Sequence, residues 1–355
     1  MKKIITVVLT LILTISTVAG CTGSTPDTVS EVVNMAVLNG PTGMATVNML
    51  DMEDKYDITT YQAPTDITAK VINGEVDVAA VPSNLAAVLY NKTEGQVVAL
   101  TPIAMGMLQI LGSGDAASID DISELEGKTI VASGQGGTPE YVLQKILDEA
   151  GLTIYEDVQV EWLANHSDVN TRLLSQEGTI AMLPEPFVST ALSAAESNGA
   201  NVEDLFDLGQ LWEEATGEEL PMGVLIAQKA FVEDRPDDVK VLLNDLKASV
   251  DFVNESPAEA AELIVEKGFI GDVAIAEAAI PNCGISCFTG KEGSQAGADI
   301  LKAFNQTMFE MEPASIGGAI PDEDLYYTEQ QENIEAGSCY SLLDRSMAAA
   351  CHGCG

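Results

Sequence analysis

The chain has 355 residues and a hydrophobic fraction of 46%, which is enough for two ordinary domains or one large domain. Its 16 Lys and Arg against 55 Asp and Glu give a formal net charge of −39 at pH 7, which argues against nucleic acid and anionic membrane surfaces as partners because both would repel it. The acidic residues are spread along the whole chain and indicate a solvated surface rather than an acidic binding patch.

The amino-terminal residues are typical of an export signal. Lys2 and Lys3 precede an apolar or small run over residues 4–18, and a polar stretch follows. The run is shorter than the roughly 20 apolar residues that a retained spanning helix needs. We therefore expect a signal peptide over residues 1–20, and no later segment is apolar enough to span a bilayer.

Residues 18–21, with the sequence Val-Ala-Gly-Cys, resemble the bacterial lipobox. The resemblance implies that the Cys21 thiol is acylated and that Cys21 becomes the first residue of the mature chain, anchored to the membrane through lipid. Residues 21–31 are then a flexible tether. The alternative is an ordinary secretory signal in which the cysteine is incidental.

A strand, a Gly-rich turn and a helix follow one another twice along the chain. They occupy residues 33–38, 39–43 and 44–50 in the first copy, and residues 128–132, 133–139 and 140–150 in the second. Each copy is followed by a second strand and helix, at residues 78–81 and 85–90 in the first and at 179–183 and 187–194 in the second. The pattern predicts two copies of one α/β lobe.

Alternating strands and helices predict an α/β fold in which each lobe is a mostly parallel sheet flanked by helices. Ligands of such sheets bind outside the carboxyl ends of the strands, where the Gly, Thr, Ser, Asn and Pro residues of this chain fall. Each turn also leads into a helix whose first N–H groups lack intrahelical partners. Those donors suit a carboxylate, sulfonate, phosphate or carbonyl oxygen.

Two apolar strands, at residues 108–111 and 223–227, are predicted to cross between the lobes. The second lobe is then an insertion, and the chain finishes in the first lobe, which the helices at 236–253 and 257–266 support. The predicted boundaries are residues 32–111 and 223–338 for the first lobe, 112–222 for the second lobe, and 339–355 for a cysteine-containing tail.

Polar residues at the strand ends are the candidate ligand contacts. In the first lobe these are Thr42 and Gly43, as hydroxyl and N–H donors, and Ser83 and Asn84, for which helix capping is the alternative. In the second lobe Gly136, Gly137 and Thr138 are predicted to cradle an anion, although a Gly-rich turn is also a common structural device.

Four further residues complete the candidate site. The Glu185 carboxylate, between two prolines, would accept hydrogen bonds from a ligand N–H, or else face water at the helix start. Asn165 and His166 form a polar turn after a strand, where a structural histidine is the alternative. Asn282 would enter from the first lobe, beside Cys283.

The six cysteines predict no metal site. One is the expected anchor, two share a short loop and three lie near the carboxyl terminus: Cys21; Cys283 and Cys287; and Cys339, Cys351 and Cys354. Export permits disulfides, but their connectivity cannot be read from spacing. The CxxC pair at 351–354 has no second Cys or His pair at ligand spacing, so a frayed or disulfide-linked tail is expected.

Four phrases together resemble the substrate-binding proteins of ABC importers, in the nitrate, sulfonate, taurine and thiamine-pyrimidine-precursor branch. They are Gly-Pro-Thr-Gly at 40–43, the run at 74–84, Leu-Pro-Glu-Pro at 183–186 and Ala-Ile-Pro-Asn at 279–282. The resemblance implies the type II periplasmic-binding-protein fold with two hinge crossings. It also implies an extracytoplasmic monomer without catalytic residues or cofactor, which captures a small molecule and delivers it to an importer permease.

Two other functions remain open. Related folds include a pyrimidine-precursor synthase and a branch in menaquinone synthesis, but such enzymes would be cytosolic, whereas this chain begins with an export signal. The sequence shows no Ser/His/Asp set or carboxylate pair and contains only 2 His. A surface sensor of the same fold is the third possibility. The solute is not identified: sulfonates, nitrate-like anions, pyrimidines and similar heterocycles all fit a cleft of this kind.

Overall fold

Two five-stranded sheets form the framework of the protein, in a computed structural model that describes residues 28–329. The predicted signal peptide, Cys21, most of the predicted tether and the cysteine-containing tail lie outside the described residues.

The strands reproduce the duplicated pattern of the sequence. They are β1 Val33–Leu38, β2 Tyr56–Tyr61, β3 Val78–Pro82, β4 Val97–Met105, β5 Leu108–Ser113, β6 Thr129–Ser133, β7 Gln159–Leu163, β8 Ile180–Pro184, β9 Val202–Asp207 and β10 Pro221–Gln228. The first lobe contains the sheet β2-β1-β3-β10-β4, and the second lobe contains β7-β6-β8-β5-β9. The prediction of a two-lobed α/β fold is confirmed.

Both sheets are mixed, because one strand in each arrives from the other lobe. β1 pairs in parallel with β2 and β3, and β6 pairs in parallel with β7 and β8. β10 begins beside the carboxyl end of β3, where Gly223 pairs with Pro82, and β5 begins beside the carboxyl end of β8, where Leu108 pairs with Pro184. A strand that enters at this edge must run antiparallel to its neighbours.

Helices cover both sheets. They are α1 Pro41–Met44, α2 Pro64–Ile72, α3 Ser83–Lys92, α4 Thr138–Glu149, α5 His166–Ser175, α6 Phe187–Asn198, α7 Leu208–Thr216, α8 Lys229–Asp234, α9 Pro236–Glu255, α10 Pro257–Glu266, α11 Val273–Ala279 and α12 Gly290–Met311. Within residues 28–329, none of the helices combines the length and apolar character needed to cross a membrane.

The first predicted helix differs from the observed structure. The sequence pattern predicts a helix over 44–50, but α1 ends at Met44 and a 3₁₀ helix, Val47–Asp51, follows. Thr46 lies between them, and its hydroxyl donates a hydrogen bond to the Gly43 carbonyl at 2.9 Å. A side chain that competes for backbone acceptors in this way favours a break in the helix.

The lobe boundary also lies earlier than predicted. Residues 108–111 are assigned to the first lobe by the sequence pattern, but β5 belongs to the second sheet, where it pairs with β8 and β9. The outward crossing therefore lies at residues 106–107, between β4 and β5. The return crossing lies at residues 217–220, between α7 and β10. The two crossings are in contact, because the Gly106 N–H donates to the Leu220 carbonyl at 2.9 Å.

Helix α12 joins the lobes at a second place. It packs against β4 and β10 of the first lobe and also against α4 of the second lobe. Phe304 on α12 lies with its ring centroid 5.9 Å from that of Trp212 on α7. Both rings are buried. The lobes therefore share an apolar contact in addition to the two crossings.

Candidate functional site

A cavity of about 780 Å³ lies between the lobes, where the carboxyl ends of β2 and β3 face those of β6 and β7. The first lobe contributes residues 62–65, 68, 82, 84 and 85 to its lining, and the second lobe contributes residues 133–139 and 162–166. This volume is in the range of cavities that hold small molecules and cofactors. Its position agrees with the rule that ligands bind outside the carboxyl ends of strands.

One side-chain hydrogen bond crosses the cavity wall from lobe to lobe. The Thr138 hydroxyl donates to Asn84 Oδ1 at 3.2 Å, and Asn84 Nδ2 donates to the Ser315 carbonyl at 3.1 Å. Thr138 begins α4, and Asn84 lies in the first turn of α3. The structure thus brings two predicted site residues from different lobes into contact.

His166 lines the same cavity, at the first position of α5. Its Nδ1 lies 2.6 Å from the Ser133 hydroxyl oxygen, and its ring lies 5.2 Å from the Phe187 ring. Burial lowers the pKa of His166 to about 4, so the imidazole is uncharged at neutral pH. Asn165 precedes it as the helix cap, since its side-chain oxygen accepts the Asp168 N–H at 2.9 Å.

The Gly-rich turn lines the cavity, but its N–H groups have other partners. The Gly136 N–H donates to the Glu140 carboxylate at 2.6 Å, and the Gly137 N–H donates to the Gly134 carbonyl at 3.0 Å. The predicted anion cradle of Gly136, Gly137 and Thr138 therefore does not have free glycine donors. The spacing could have signalled this, because Glu140 occupies the position of the acidic residue in a capping box.

Thr42 and Gly43 are not part of the cavity lining. The Thr42 hydroxyl donates to the Leu38 carbonyl at 3.3 Å, and a Cβ on Gly223 would lie 2.6 Å from Thr42 Cγ2. The Gly43 N–H donates to the Gly40 carbonyl at 3.0 Å. A Cβ at Gly43 would lie 2.3 Å from the Phe269 ring. These close contacts show that both residues pack inside the first lobe.

Ser83 lies at the start of α3, next to Asn84 of the cavity wall. Its hydroxyl is buried and has no hydrogen-bond partner in the described residues. Pro82 is the helix cap, and no side chain caps α3. The capping alternative for Ser83 is therefore not observed.

Glu185 is buried away from the cavity lining. One carboxylate oxygen accepts the Ser189 N–H at 3.1 Å and the other accepts the Ser189 hydroxyl at 3.0 Å. Burial raises the pKa of Glu185, although hydrogen bonds from Ser189 and Asn282 act against the rise. Neither alternative offered by the sequence is observed, because Glu185 faces neither the cavity nor water.

Asn282 and Cys283 follow α11, which packs against α6 across the lobes. Asn282 Nδ2 donates to the Ala278 carbonyl at 3.4 Å. Cys283 and Cys287 are both free thiols, and Cys283 belongs to the core of the first lobe. Burial raises the pKa of the Cys283 thiol well above its ordinary value. This region therefore contacts the second lobe but does not line the cavity.

Trp162 is the main lining residue that the sequence analysis did not identify. It lies near the carboxyl end of β7, three residues before Asn165 of the predicted polar turn, so the strand-end rule could have found it. Gln62, Thr65 and Gln135 also line the cavity. In residues 28–329, no group of three or more His, Cys, Asp and Glu side chains could hold a metal ion.

A sequence profile of the family described as menaquinone biosynthesis matches residues 46–277, which is more than half of the chain. The chain belongs to this family. No curated protein matches it.

Solved structures show that this member of the family has the fold of importer binding proteins. An ABC transporter structure from Parabacteroides distasonis is 21% identical, with a TM-score of 0.69 over 84% of this chain and 100% of that chain. The periplasmic aliphatic sulphonate binding protein SsuA from Escherichia coli is 14% identical, with a TM-score of 0.65 over 85% of this chain and 93% of that chain.

A third structure is the alkanesulfonate-binding protein SsuA from Xanthomonas axonopodis pv. citri bound to MOPS. It is 13% identical, with a TM-score of 0.59 over 83% of this chain and 96% of that chain. At these identities the likeness establishes the type II periplasmic-binding-protein fold and leaves the ligand of this chain to its own residues.

Proposed function

We propose that this chain is an extracytoplasmic solute-binding protein, which captures a small molecule between its lobes and delivers it to the permease of an ABC importer. The observation that carries the proposal is the cavity lined by both lobes at the carboxyl ends of their strands. A ligand that touches both lobes favours the closed arrangement over an open one. The importer then distinguishes the closed, ligand-bound protein from the open one. The importer binding proteins with the same fold support this function.

The amino-terminal sequence supports an anchored location. In this proposal residues 1–20 direct export, Cys21 carries lipid, and the protein is a monomer on the outer face of the cytoplasmic membrane. Mass spectrometry of the protein purified from cells should detect an acylated Cys21 as its first residue. The Cys21→Ser variant should leave the membrane fraction, and retention of the variant there would contradict the anchor.

A thermal-shift screen of the full-length protein tests the binding function. The panel holds sulfonates, nitrate-like anions, pyrimidines and other small heterocycles. A ligand present at 100 times its dissociation constant should add about 2.7 kcal/mol to the free energy of unfolding. Absence of stabilisation by every class would contradict the proposal.

The family match favours one second candidate, an enzyme that acts on a menaquinone precursor. His166 is the titratable side chain of the cavity lining, and an acid or base needs such a group beside its substrate. The two functions differ in the fate of the ligand. Mass spectrometry of a bound ligand after prolonged incubation should recover it unchanged if the protein is a receptor. Conversion of many equivalents per protein, abolished in His166→Ala, would establish the enzyme instead.

A further inference from the structure

The cavity presents only uncharged side chains. Among the described residues that line it there is no Lys, Arg, Asp or Glu, and its polar groups are amides, hydroxyls and the His166 imidazole. An anionic ligand would therefore find neutral side-chain and backbone donors and helix dipoles, but no cationic side chain, among these residues. An uncharged guest would find both donors and acceptors.

Three of the helix dipoles at the cavity are matched by carboxylates in the first turn of the helix. Four helices begin at the lining, and three of them, α2, α4 and α5, have an acidic residue in the first turn: Asp66, Glu140 and Asp168. Helix α3 has none. Each of these charges compensates the positive end of its own helix. The Glu140 carboxylate also accepts a hydrogen bond from the Gly136 N–H at 2.6 Å. A bound anion would compete with these carboxylates and be repelled by them.

Trp162 contributes its ring and not its N–H group to the cavity. Its Nε1 donates to the Tyr155 hydroxyl at 3.0 Å, and that hydroxyl donates in turn to the Glu140 carboxylate. Tyr155 and Glu140 are not lining residues. The indole N–H is therefore held outside the cavity, and the apolar ring is the part that a guest can contact.

Tyr155, which links Trp162 to Glu140 through its hydroxyl, has an unfavourable backbone conformation. Its φ is 68°, in the left-handed region that bulky residues rarely adopt. A glycine would occupy this position more easily. The tyrosine hydroxyl is the group that links Trp162 to Glu140, and Glu140 holds the Gly136 turn. One side chain thus positions two parts of the cavity wall.

We propose that the cavity selects an uncharged, planar heteroaromatic molecule, which stacks on the Trp162 ring and pairs its polar edge with the amides and hydroxyls of the lining. Tyr155 and Glu140 are positioning residues for this ring. The inference rests on the proposed function, because it names the class of solute that the interlobe cavity captures. It departs from the sulfonates bound by proteins of the same fold.

Matched pairs of probes separate charge from shape. Isothermal titration of the full-length protein would compare nicotinamide with nicotinate, and indole-3-carboxamide with indole-3-carboxylate, because the members of each pair have nearly the same outline but differ by one charge. Cyclohexanecarboxamide tests planarity, and ethanesulfonate and nitrate represent the anions. We expect the amides to bind at least about tenfold more tightly than their carboxylates and than the non-planar amide.

Variants test the part played by Trp162 and its support. Trp162→Leu keeps an apolar side chain but removes the ring, and should weaken binding of the aromatic amides by about tenfold or more. Tyr155→Phe removes only the hydroxyl and should weaken it by about threefold to tenfold. Tyr141→Phe removes a tyrosine hydroxyl from helix α4 outside the lining and is the control, with affinity unchanged.

The outcomes separate this inference from the function on which it rests. Binding of ethanesulfonate, nitrate or the carboxylates in preference to the amides would overturn the ligand class and leave the receptor function intact. Equal affinity in Trp162→Leu and the parent protein would overturn the stacking role. No binding by any probe would overturn the ligand class, and the broader stabilisation screen would then decide the receptor function separately.

Discussion

The Thr138 hydroxyl on α4 donates a hydrogen bond to Asn84 Oδ1 on α3 at 3.2 Å, and this bond joins the two lobes beside the cavity. Both side chains are buried. Loss of the hydroxyl would leave a buried amide oxygen without its donor, which costs about 1–3 kcal/mol. Because this bond joins the lobes, closure of the cleft depends in part on contact between these two site residues.

Replacing Thr138 by valine should weaken ligand binding by about fivefold or more, because the closed arrangement loses a bond that the open one does not need. Titration calorimetry with a ligand from the screen measures the change. Thr190→Val is the matched control, since the Thr190 hydroxyl donates to the carbonyl of Pro186, the cap of its own helix α6, at 2.8 Å. Equal affinities for the two variants would contradict a closing role for Thr138.

Ser189→Ala should lower the free energy of unfolding by about 1–2 kcal/mol and leave ligand affinity within about twofold. The serine hydroxyl donates to the buried Glu185 carboxylate at 3.0 Å, and that carboxylate lies outside the cavity lining. Urea unfolding and calorimetry measure the two quantities, with the exposed Ser175→Ala as control. A large loss of affinity would contradict this prediction and would indicate that Glu185 contributes to ligand binding.

His166 should make the protein less stable as the pH falls from about 6.5 to about 4. The pKa of His166 is lowered by burial from 6.5 to about 4, so in this window the unfolded chain binds a proton that the folded chain does not. Stability then falls by about 1.4 kcal/mol per pH unit from this group.

A His166→Gln variant isolates that contribution. Asp204, whose pKa burial raises to about 6, titrates in an overlapping range with the opposite sign, because its folded form takes up a proton first. The difference in unfolding free energy between parent and variant, measured at several pH values, removes such shared effects. A difference that does not change between pH 7 and pH 4.5 would show that His166 is not held neutral.

Strands, helices and turns could be predicted from the sequence because each depends on residues that are close together along the chain. The strand at Val33–Leu38 occurs as predicted, and the helices that begin at Pro236 and Pro257 start where proline predicts. The turn before Thr138 and the polar turn at Asn165 also lie at the cavity, as strand ends should.

The partners of individual side chains could not be read in the same way. Glu185 has the sequence context of a ligand contact, but it is buried, and one of the hydrogen bonds that lower its pKa comes from Asn282, far along the chain in the other lobe. Gly136 has the context of an anion donor, but Glu140 occupies its N–H. Which sheet receives residues 108–111 depends on pairing with β8 and β9, and apolar pattern alone does not encode that choice.

Phe304→Ala should lower the free energy of unfolding by about 3–5 kcal/mol, because it removes a buried aromatic ring between the lobes and leaves a cavity in its place. It should also shift the emission of Trp212 to longer wavelength. The chain has 2 Trp, so a Trp162→Phe background reports Trp212 alone. Phe309→Ala, on the same helix but only partly buried, should cost less. Unchanged emission in Phe304→Ala would contradict the contact with Trp212.

The most direct test of a closing receptor is small-angle X-ray scattering of the full-length protein with and without a ligand that stabilises it. We expect a smaller radius of gyration on binding, and a parallel change in the fluorescence of Trp162, which lines the cavity. The Thr138→Val variant should need more ligand to reach the same compact state. Binding with full occupancy and no change in scattering would contradict the claim that the ligand draws the two lobes together.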